Sequence, residues 1–176
     1  MTDETLRDLA ERAVRLLREK GLTVATAESC TGGLIAKLIT DVSGASEVFH
    51  CGVVSYANDV KHALLGVREE TLDEFGAVSE QTVLEMEAGV RKLAKADVGV
   101  AVSGIAGPNA DGTRKPVGLI WLCCGTAQGS VTFCMHNTFP ADVRENNRRA
   151  AADRALRMVI EAAEKKQPTG GETHGK

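Results

Sequence analysis

The hydroxyl groups of Ser29 and Thr31 lie in a loop of small residues, 26–33, and are the side chains best placed to do chemistry. The apolar segment 22–25 before this loop predicts a buried strand, and the apolar spacing of 34–39 after it suits a helix. Such a loop presents main-chain N–H groups at the positive end of a helix dipole, where anions and developing oxyanions bind. The pattern predicts an anion-binding or nucleophile-bearing loop, and an ordinary tight turn is the alternative.

A serine becomes a nucleophile only when a base takes its proton. Lys61 is the most interesting candidate, because one turn of a short predicted helix places it near Tyr56 and Asn58 at one strand edge. Burial or a nearby positive charge lowers the pKa of a lysine and lets the neutral amine act as a base. From the residues alone the alternatives stay open, since a lysine on a surface helix is usually solvated and a single tyrosine usually packs. Three histidines are further possible bases: His50, His62 and His136.

Two predicted strands, 23–27 and 97–102, each end in a loop that contains serine and glycine. Ligands of such sheets bind beyond the carboxyl ends of the strands, so both loops should face one cleft. The second loop is Ser103-Gly104-Ile105-Ala106-Gly107-Pro108. Further strands are expected at 48–56 and in a hairpin of 117–124 and 130–137, whose turn contains Gly125 and Gly129. Strands mixed with helices predict an α/β protein, a three-layer α/β/α sandwich with a mixed β-sheet.

Apolar periodicity and capping residues predict the helices. The segments are 3–20, 34–39, a short helix capped by Asn58 or Asp59 and closed by Gly66, 69–75, 80–95 with Ser79 as its cap, and 142–164. Residues 109–116 are polar and are expected to form a mobile hairpin or lid.

The size and charge of the chain exclude several classes of protein. Its 176 residues suit a single domain, expected over 1–166, with a tail of glycine, proline and charged residues, 167–176, expected to be disordered. A net charge of −3 with scattered basic residues argues against nucleic acid as the main ligand. The sequence has no apolar run of membrane-spanning length and no signal peptide, which predicts a cytoplasmic protein. The five cysteines and four histidines show no metal-ligand spacing, so neither a metal nor a cofactor is expected.

Five ordered motifs closely resemble the CinA C-terminal domain family, over roughly residues 5–165. They are Ala27-Glu28-Ser29-Cys30-Thr31-Gly32-Gly33; Gly52-Val53-Val54-Ser55-Tyr56-Ala57-Asn58 with Lys61; Gly76-Ala77-Val78-Ser79; Ser103-Gly104-Ile105-Ala106-Gly107-Pro108; and Lys115-Pro116-Val117-Gly118. The resemblance implies a nicotinamide-nucleotide amidohydrolase, which converts nicotinamide mononucleotide to nicotinate mononucleotide and ammonia. It also implies a homo-oligomer. A non-catalytic nucleotide-binding module, associated with competence or DNA-damage responses, is the alternative function.

The resemblance also implies a role for each site residue. Ser29 would attack the carboxamide carbon, Lys61 would accept the proton of Ser29, and Tyr56 would relay or position that proton. Main-chain N–H groups around Thr31, Gly32 and Gly33 would stabilise the oxyanion. The residues that would hold the nucleotide are Ser103, Gly104, Ala106, Gly107 and Pro108, with Ser43 and Asn58 as rim contacts. Arg144 stands one position later than in the family pattern, and either Arg144 or Arg148 would meet the phosphate.

Overall fold

The computed structural model describes residues 3–165, with side chains from Leu6 onward, and the tail predicted to be disordered lies outside the described residues. The strands are β1 Val24–Glu28, β2 Phe49–Val54, β3 Val98–Gly104, β4 Leu119–Thr126 and β5 Gly129–His136. The helices are α1 Asp3–Lys20, α2 Leu34–Thr40, α3 Asn58–Leu65, α4 Glu69–Phe75, α5 Glu80–Ala94 and α6 Val143–Lys165, and a short 3-10 helix covers Ala45–Glu47. Within residues 3–165, no helix is long and apolar enough to cross a membrane.

The five strands form one mixed sheet in the order β2-β1-β3-β4-β5. Strand β1 pairs in parallel with both β2 and β3, whereas β4 and β5 add to β3 as antiparallel strands. Every residue of β1 is buried, and β3 is buried up to Gly104, as expected for parallel strands covered on both faces. The predicted mixed sheet is therefore confirmed.

Helices cover both faces of the sheet and enclose two apolar clusters. The first cluster lies under α1, α2 and α6 and includes the fully buried side chains of Leu17, Ile35 and Leu156. The second lies under α3 and α5 and includes Met86 and Val83. Burying one such aliphatic side chain contributes about 1.5–3 kcal/mol, so these clusters fix the layers that hold the loops. The three-layer α/β/α sandwich is confirmed.

Several predicted boundaries shift by one to three residues. Strand β1 runs on to Glu28, because this residue pairs with both neighbouring strands, so the loop begins at Ser29 rather than residue 26. Ser79 caps α5 as predicted, by accepting a hydrogen bond from the Thr82 N–H. The glycines expected in the last hairpin turn, Gly125 and Gly129, instead lie within the paired strands β4 and β5.

The predicted cap of α3 is wrong by one or two residues. Neither Asn58 nor Asp59 caps this helix; Ala57 occupies that position, and Asn58 is the first helical residue. The helix begins there because the Lys61 N–H donates to the Ala57 carbonyl and closes the first turn. The Asp59 carboxylate instead accepts a hydrogen bond from the N–H of Val60.

Candidate active site

The candidate site lies at the carboxyl ends of β1, β2 and β3. Ser29 follows β1 directly, and its N–H donates to the Val102 carbonyl of β3 at 3.0 Å. On the other side, the Ser55 N–H donates to the Glu28 carbonyl at 2.9 Å, which fixes the chain after β2. Ser29 is therefore held between the ends of two neighbouring strands.

Lys61 reaches Ser29 from helix α3. Its Nζ lies 3.2 Å from Ser29 Oγ, 2.7 Å from the Ser55 carbonyl oxygen and 3.4 Å from the Tyr56 carbonyl oxygen. Lys61 is only 1% exposed and Ser29 only 9% exposed. The structure thus brings the two residues together and removes the solvated-lysine alternative.

Burial changes the acid–base properties of this pair. It lowers the pKa of Lys61 from 10.5 to about 8, because the charged ammonium loses its hydration. The hydrogen-bond partners of Lys61 Nζ within the described chain are oxygens of Ser29, Ser55 and Tyr56, and none is a carboxylate. A substantial fraction of the amine is therefore neutral near pH 8, as a general base requires.

Cys30 is the neighbouring candidate nucleophile. Its thiol is buried, and burial raises its pKa to about 12. A thiol with this pKa is protonated at neutral pH, and the thiolate is the reactive form. The arrangement therefore favours the hydroxyl of Ser29 over the thiol of Cys30.

The loop after Ser29 uses most of its N–H groups internally. The Gly32 N–H donates to the Ser29 carbonyl, and the Gly33 N–H donates to the Glu28 carboxylate at 3.0 Å. Gly32 and Gly33 have φ of 62° and 93°, in the left-handed region that favours glycine. The observed hydrogen bonds do not support the predicted oxyanion role for the N–H groups of Gly32 and Gly33. Within residues 3–165, the N–H groups of Cys30 and Thr31 donate to no oxygen.

Helix α6 donates hydrogen bonds to both loops of the site, the one that begins at Ser29 and the one at 103–108. The Arg148 guanidinium donates to the Thr31 carbonyl through Nη2 at 2.7 Å and Nε at 3.2 Å. The Asn147 Nδ2 donates to the Ala106 carbonyl at 3.0 Å, and Asn147 is completely buried. Asn147 was not predicted from the sequence, although its spacing from Arg144 and Arg148 puts all three on one helix face.

Arg144 joins two further segments at the rim. It donates through Nη1 to the Gly107 carbonyl at 2.9 Å and through Nη2 to the Tyr56 hydroxyl at 2.8 Å. Tyr56 is 60% exposed, and only its main-chain carbonyl bonds to Lys61. The observed geometry does not support the predicted proton relay through the Tyr56 hydroxyl, which instead faces Arg144.

The second loop, 103–108, is held by a hydrogen bond to the segment between α4 and α5. The Ser103 Oγ donates to the Ala77 carbonyl at 2.7 Å, so this hydroxyl already has an acceptor. A Cβ atom at Gly104 would lie 2.6 Å from the Ile120 side chain, which explains the glycine. Pro108 follows a cis peptide bond and is exposed, as is Asn58 at the start of α3. These residues lie at the same edge of the sheet as Ser29.

Ser43 is the predicted site residue that the structure places elsewhere. It lies in the loop between α2 and β2, close in sequence to Val48, whose carbonyl accepts the N–H of Val24. Val24 is the first residue of β1, so this loop lies at the amino ends of the strands. The topology does not support the predicted rim contact, because the parallel pairing of β1 and β2 sends the chain back across the sheet.

No group of three or more His, Cys, Asp or Glu side chains in the described chain is placed to hold a metal ion. The site instead combines a buried serine with a buried lysine of lowered pKa, beside two arginines on one helix face. Together with the fold, it defines an α/β/α protein with a candidate serine–lysine nucleophile and base.

The chain belongs to the CinA C-terminal domain family, whose model matches residues 6–163. It is 47% identical over 159 residues to the nicotinamide-nucleotide amidohydrolase PncC of Escherichia coli K12. The alignment covers 90% of this chain and 95% of that protein. It is 48% identical over 160 residues to the PncC protein of Shigella flexneri, with the same coverage. The solved structure of the competence/damage inducible protein CihA from Agrobacterium tumefaciens has a TM-score of 0.87, 41% identity, and coverage of 93% of this chain and 98% of that one.

Proposed function

We propose that this protein is a nicotinamide-nucleotide amidohydrolase that converts nicotinamide mononucleotide to nicotinate mononucleotide and ammonia. The observation that carries the proposal is the buried contact between Ser29 Oγ and Lys61 Nζ, at 3.2 Å. The names of the relatives in Escherichia coli and Shigella flexneri support this choice of substrate. Binding alone would require neither a nucleophile nor a base, so the pair favours catalysis over a purely binding role.

In the first half of the proposed reaction, the neutral amine of Lys61 takes the proton from the Ser29 hydroxyl. The Oγ atom forms a bond to the carboxamide carbon, and the carbonyl π electrons move onto its oxygen. We assign the oxyanion to the N–H groups of Cys30 and Thr31, which donate to no oxygen within residues 3–165, and losing one such donor typically costs about 3 kcal/mol. The Lys61 ammonium then protonates the amide nitrogen, the oxyanion electrons re-form the carbon–oxygen double bond as the carbon–nitrogen bond breaks, and ammonia leaves.

In the second half, water hydrolyses the ester between Ser29 and the nicotinate group. Lys61 takes a proton from the water, whose oxygen attacks the ester carbon. The carbon–oxygen bond to Ser29 then breaks, and Lys61 returns the proton to Oγ. The second proton of the water stays on the nascent carboxylic acid, which releases it to solvent, so nicotinate mononucleotide leaves as the carboxylate and the enzyme regains its starting state with no cofactor consumed.

For the phosphate of the nucleotide we propose Arg144 rather than Arg148. Arg144 is exposed at the rim, and its described partners are a carbonyl and a hydroxyl, which leave its charge available to an anion. Arg148 directs two donors at the Thr31 carbonyl and supports the loop instead. The turn from Ala106 to Pro108 would then contact the ribose side of the nucleotide.

The experiment that tests this function is ammonia release from nicotinamide mononucleotide by the purified protein. We expect turnover by the wild-type protein and none by Ser29→Ala. We also expect nicotinamide riboside and free nicotinamide to be much poorer substrates, because neither carries the phosphate. Nucleotide binding without ammonia release would contradict the proposal and favour the non-catalytic binding module.

A further inference from the structure

Glu28 is a charged motif residue to which the proposed reaction assigns no role. It is the last residue of β1 and is only 1% exposed. Its carboxylate accepts hydrogen bonds from the N–H groups of Gly33 at 3.0 Å, Ile35 at 3.1 Å and Ala36 at 2.8 Å. A buried carboxylate therefore closes the loop that begins at Ser29.

This arrangement fills the position where the sequence predicts an external anion. The positive end of α2 attracts negative charge, and the Glu28 carboxylate already occupies it. The first turn of α2 contains no acidic residue, and Gly33 at its start offers no side-chain cap. The phosphate of a nucleotide would meet like charge there, which directs it towards the rim.

Glu28 also determines which N–H groups remain available. It engages Gly33, while the Ser29 carbonyl engages the N–H of Gly32. The loop between these two fixed points contains only Cys30 and Thr31, whose N–H groups donate to no oxygen in the described chain. The carboxylate thus helps to fix the loop in which these two N–H groups, next in sequence to the nucleophile, have no oxygen acceptor in the described chain.

We propose that Glu28 is a positioning residue that orients the Cys30 and Thr31 N–H groups toward the oxyanion. This inference rests on the proposed function, because it concerns the transition state of the same reaction. Charge and shape both matter in this role. Glutamine keeps the length of the side chain but replaces one carboxylate oxygen by an NH₂ group, which cannot accept the three N–H groups together.

The test compares wild-type protein, Glu28→Gln and Glu28→Asp in the deamidation of nicotinamide mononucleotide. For Glu28→Gln we expect kcat to fall about 10- to 100-fold while KM changes less than about threefold, as for weakened oxyanion binding. Glu28→Asp keeps the charge but is too short to reach all three donors, so we expect an intermediate kcat. The pH at which activity rises should stay near that of the wild-type enzyme, because Lys61 is unchanged.

Glu69→Gln is the matched control, because Glu69 is an exposed acidic residue in the first turn of another helix, α4. It should retain wild-type kcat. Amide NMR shifts of Gly33, Ile35 and Ala36, recorded without substrate, should move in Glu28→Gln and stay unchanged in the control. If Glu28→Gln does not fold, Glu28→Asp supplies the same kinetic comparison.

Three outcomes would overturn the inference. A wild-type kcat per folded molecule in Glu28→Gln, or in Glu28→Asp if the first variant does not fold, would show that Glu28 serves folding only. A rise in KM at constant kcat would assign Glu28 to ground-state binding. A wild-type protein that released no ammonia would overturn the proposed function, and this inference with it. Loss of kcat in Glu28→Gln alongside an active wild type would support both.

Discussion

The Nζ atom of Lys61 lies 3.2 Å from the Oγ atom of Ser29, and both residues are almost completely excluded from solvent. The short distance lets one group take a proton from the other, and the burial makes the amine able to do so. In water a lysine is protonated at neutral pH and cannot act as a base. Here the burial that would destabilise an ordinary lysine is what the proposed reaction needs.

Two serine variants test which end of the sheet carries the chemistry. Ser29→Ala should lower ammonia release to background, because alanine leaves the loop intact and removes the nucleophile. Ser43→Ala should retain full activity, because Ser43 lies at the amino ends of the strands. Steady-state ammonia assays on both variants decide this. A Ser43→Ala variant as inactive as Ser29→Ala would contradict the assignment.

Because Lys61 is buried, the free energy of unfolding should depend on pH. The pKa of Lys61 is about 8 in the folded protein and 10.5 ordinarily, so between these values the unfolded chain binds a proton that the folded protein releases. Stability therefore rises with pH across this window, by roughly 3 kcal/mol if the full shift applies. Below pH 8 the Lys61 amine is protonated in both the folded and the unfolded protein. The free-energy cost of burying its charge is then independent of pH.

Lys61→Met provides the reference, because methionine occupies similar space and does not titrate. Urea unfolding of both proteins between pH 7 and pH 10 gives the difference in their free energies of unfolding. We expect this difference to change in favour of the wild type as the pH rises. A difference that stays flat would show that Lys61 has an ordinary pKa in the folded protein.

Variants of Arg144 and Arg148 in α6 should affect different kinetic constants, KM for Arg144 and kcat for Arg148. Arg144→Gln should raise KM for nicotinamide mononucleotide about 10- to 100-fold with little change in kcat, as expected for one charge-assisted contact. The same variant should change KM for nicotinamide riboside much less. Arg148→Gln should instead lower kcat, because the Thr31 carbonyl loses both hydrogen bonds from the guanidinium and keeps only the longer one from the Leu34 N–H. Identical effects of the two variants on KM would contradict this division.

The thiol beside the nucleophile should be dispensable. With a pKa of about 12, the Cys30 thiol carries only about one thiolate in ten thousand at pH 8. Cys30→Ala should therefore keep kcat within about threefold of the wild type, a margin typical of substitutions that remove no reacting group. Iodoacetamide should modify the exposed Cys134 before Cys30, as peptide mass spectrometry can show. Inactivation that follows alkylation of Cys30 would reopen the choice of nucleophile.

Local patterns in the sequence make Ser29 a candidate nucleophile and Lys61 a candidate base, and the resemblance to the CinA C-terminal domain family assigns them as a pair. Ser29 follows an apolar strand, and Lys61 lies one helical turn beyond Ala57, so each can be placed on its own element. The alternation of strands and helices likewise predicts the layers. What local pattern cannot supply is burial, because the exposure of Lys61 depends on how α3 packs against the rest of the molecule.

The errors at the site come from strand pairing and side-chain directions, which local sequence patterns do not show. A loop of small residues looks the same at either edge of a sheet, and only the parallel pairing of β1 with β2 places Ser43 away from Ser29. The direction of the Glu28 side chain is equally invisible, so its capture of the Gly33 N–H could not be predicted. Asn147 contacts Ala106 across 41 positions, and the only local signal is its spacing on the α6 face.

The most direct test of the central claim is kcat/KM of Lys61→Arg with nicotinamide mononucleotide, measured beside the wild type across pH 6 to 10. Arginine keeps the positive charge and much of the length, but it does not give up its proton in this range. We predict that wild-type kcat/KM rises with pH and levels off above about 8, following the pKa of Lys61. We predict that folded Lys61→Arg remains inactive throughout. Turnover close to wild type in Lys61→Arg would contradict the account, because Ser29 would then have a different base.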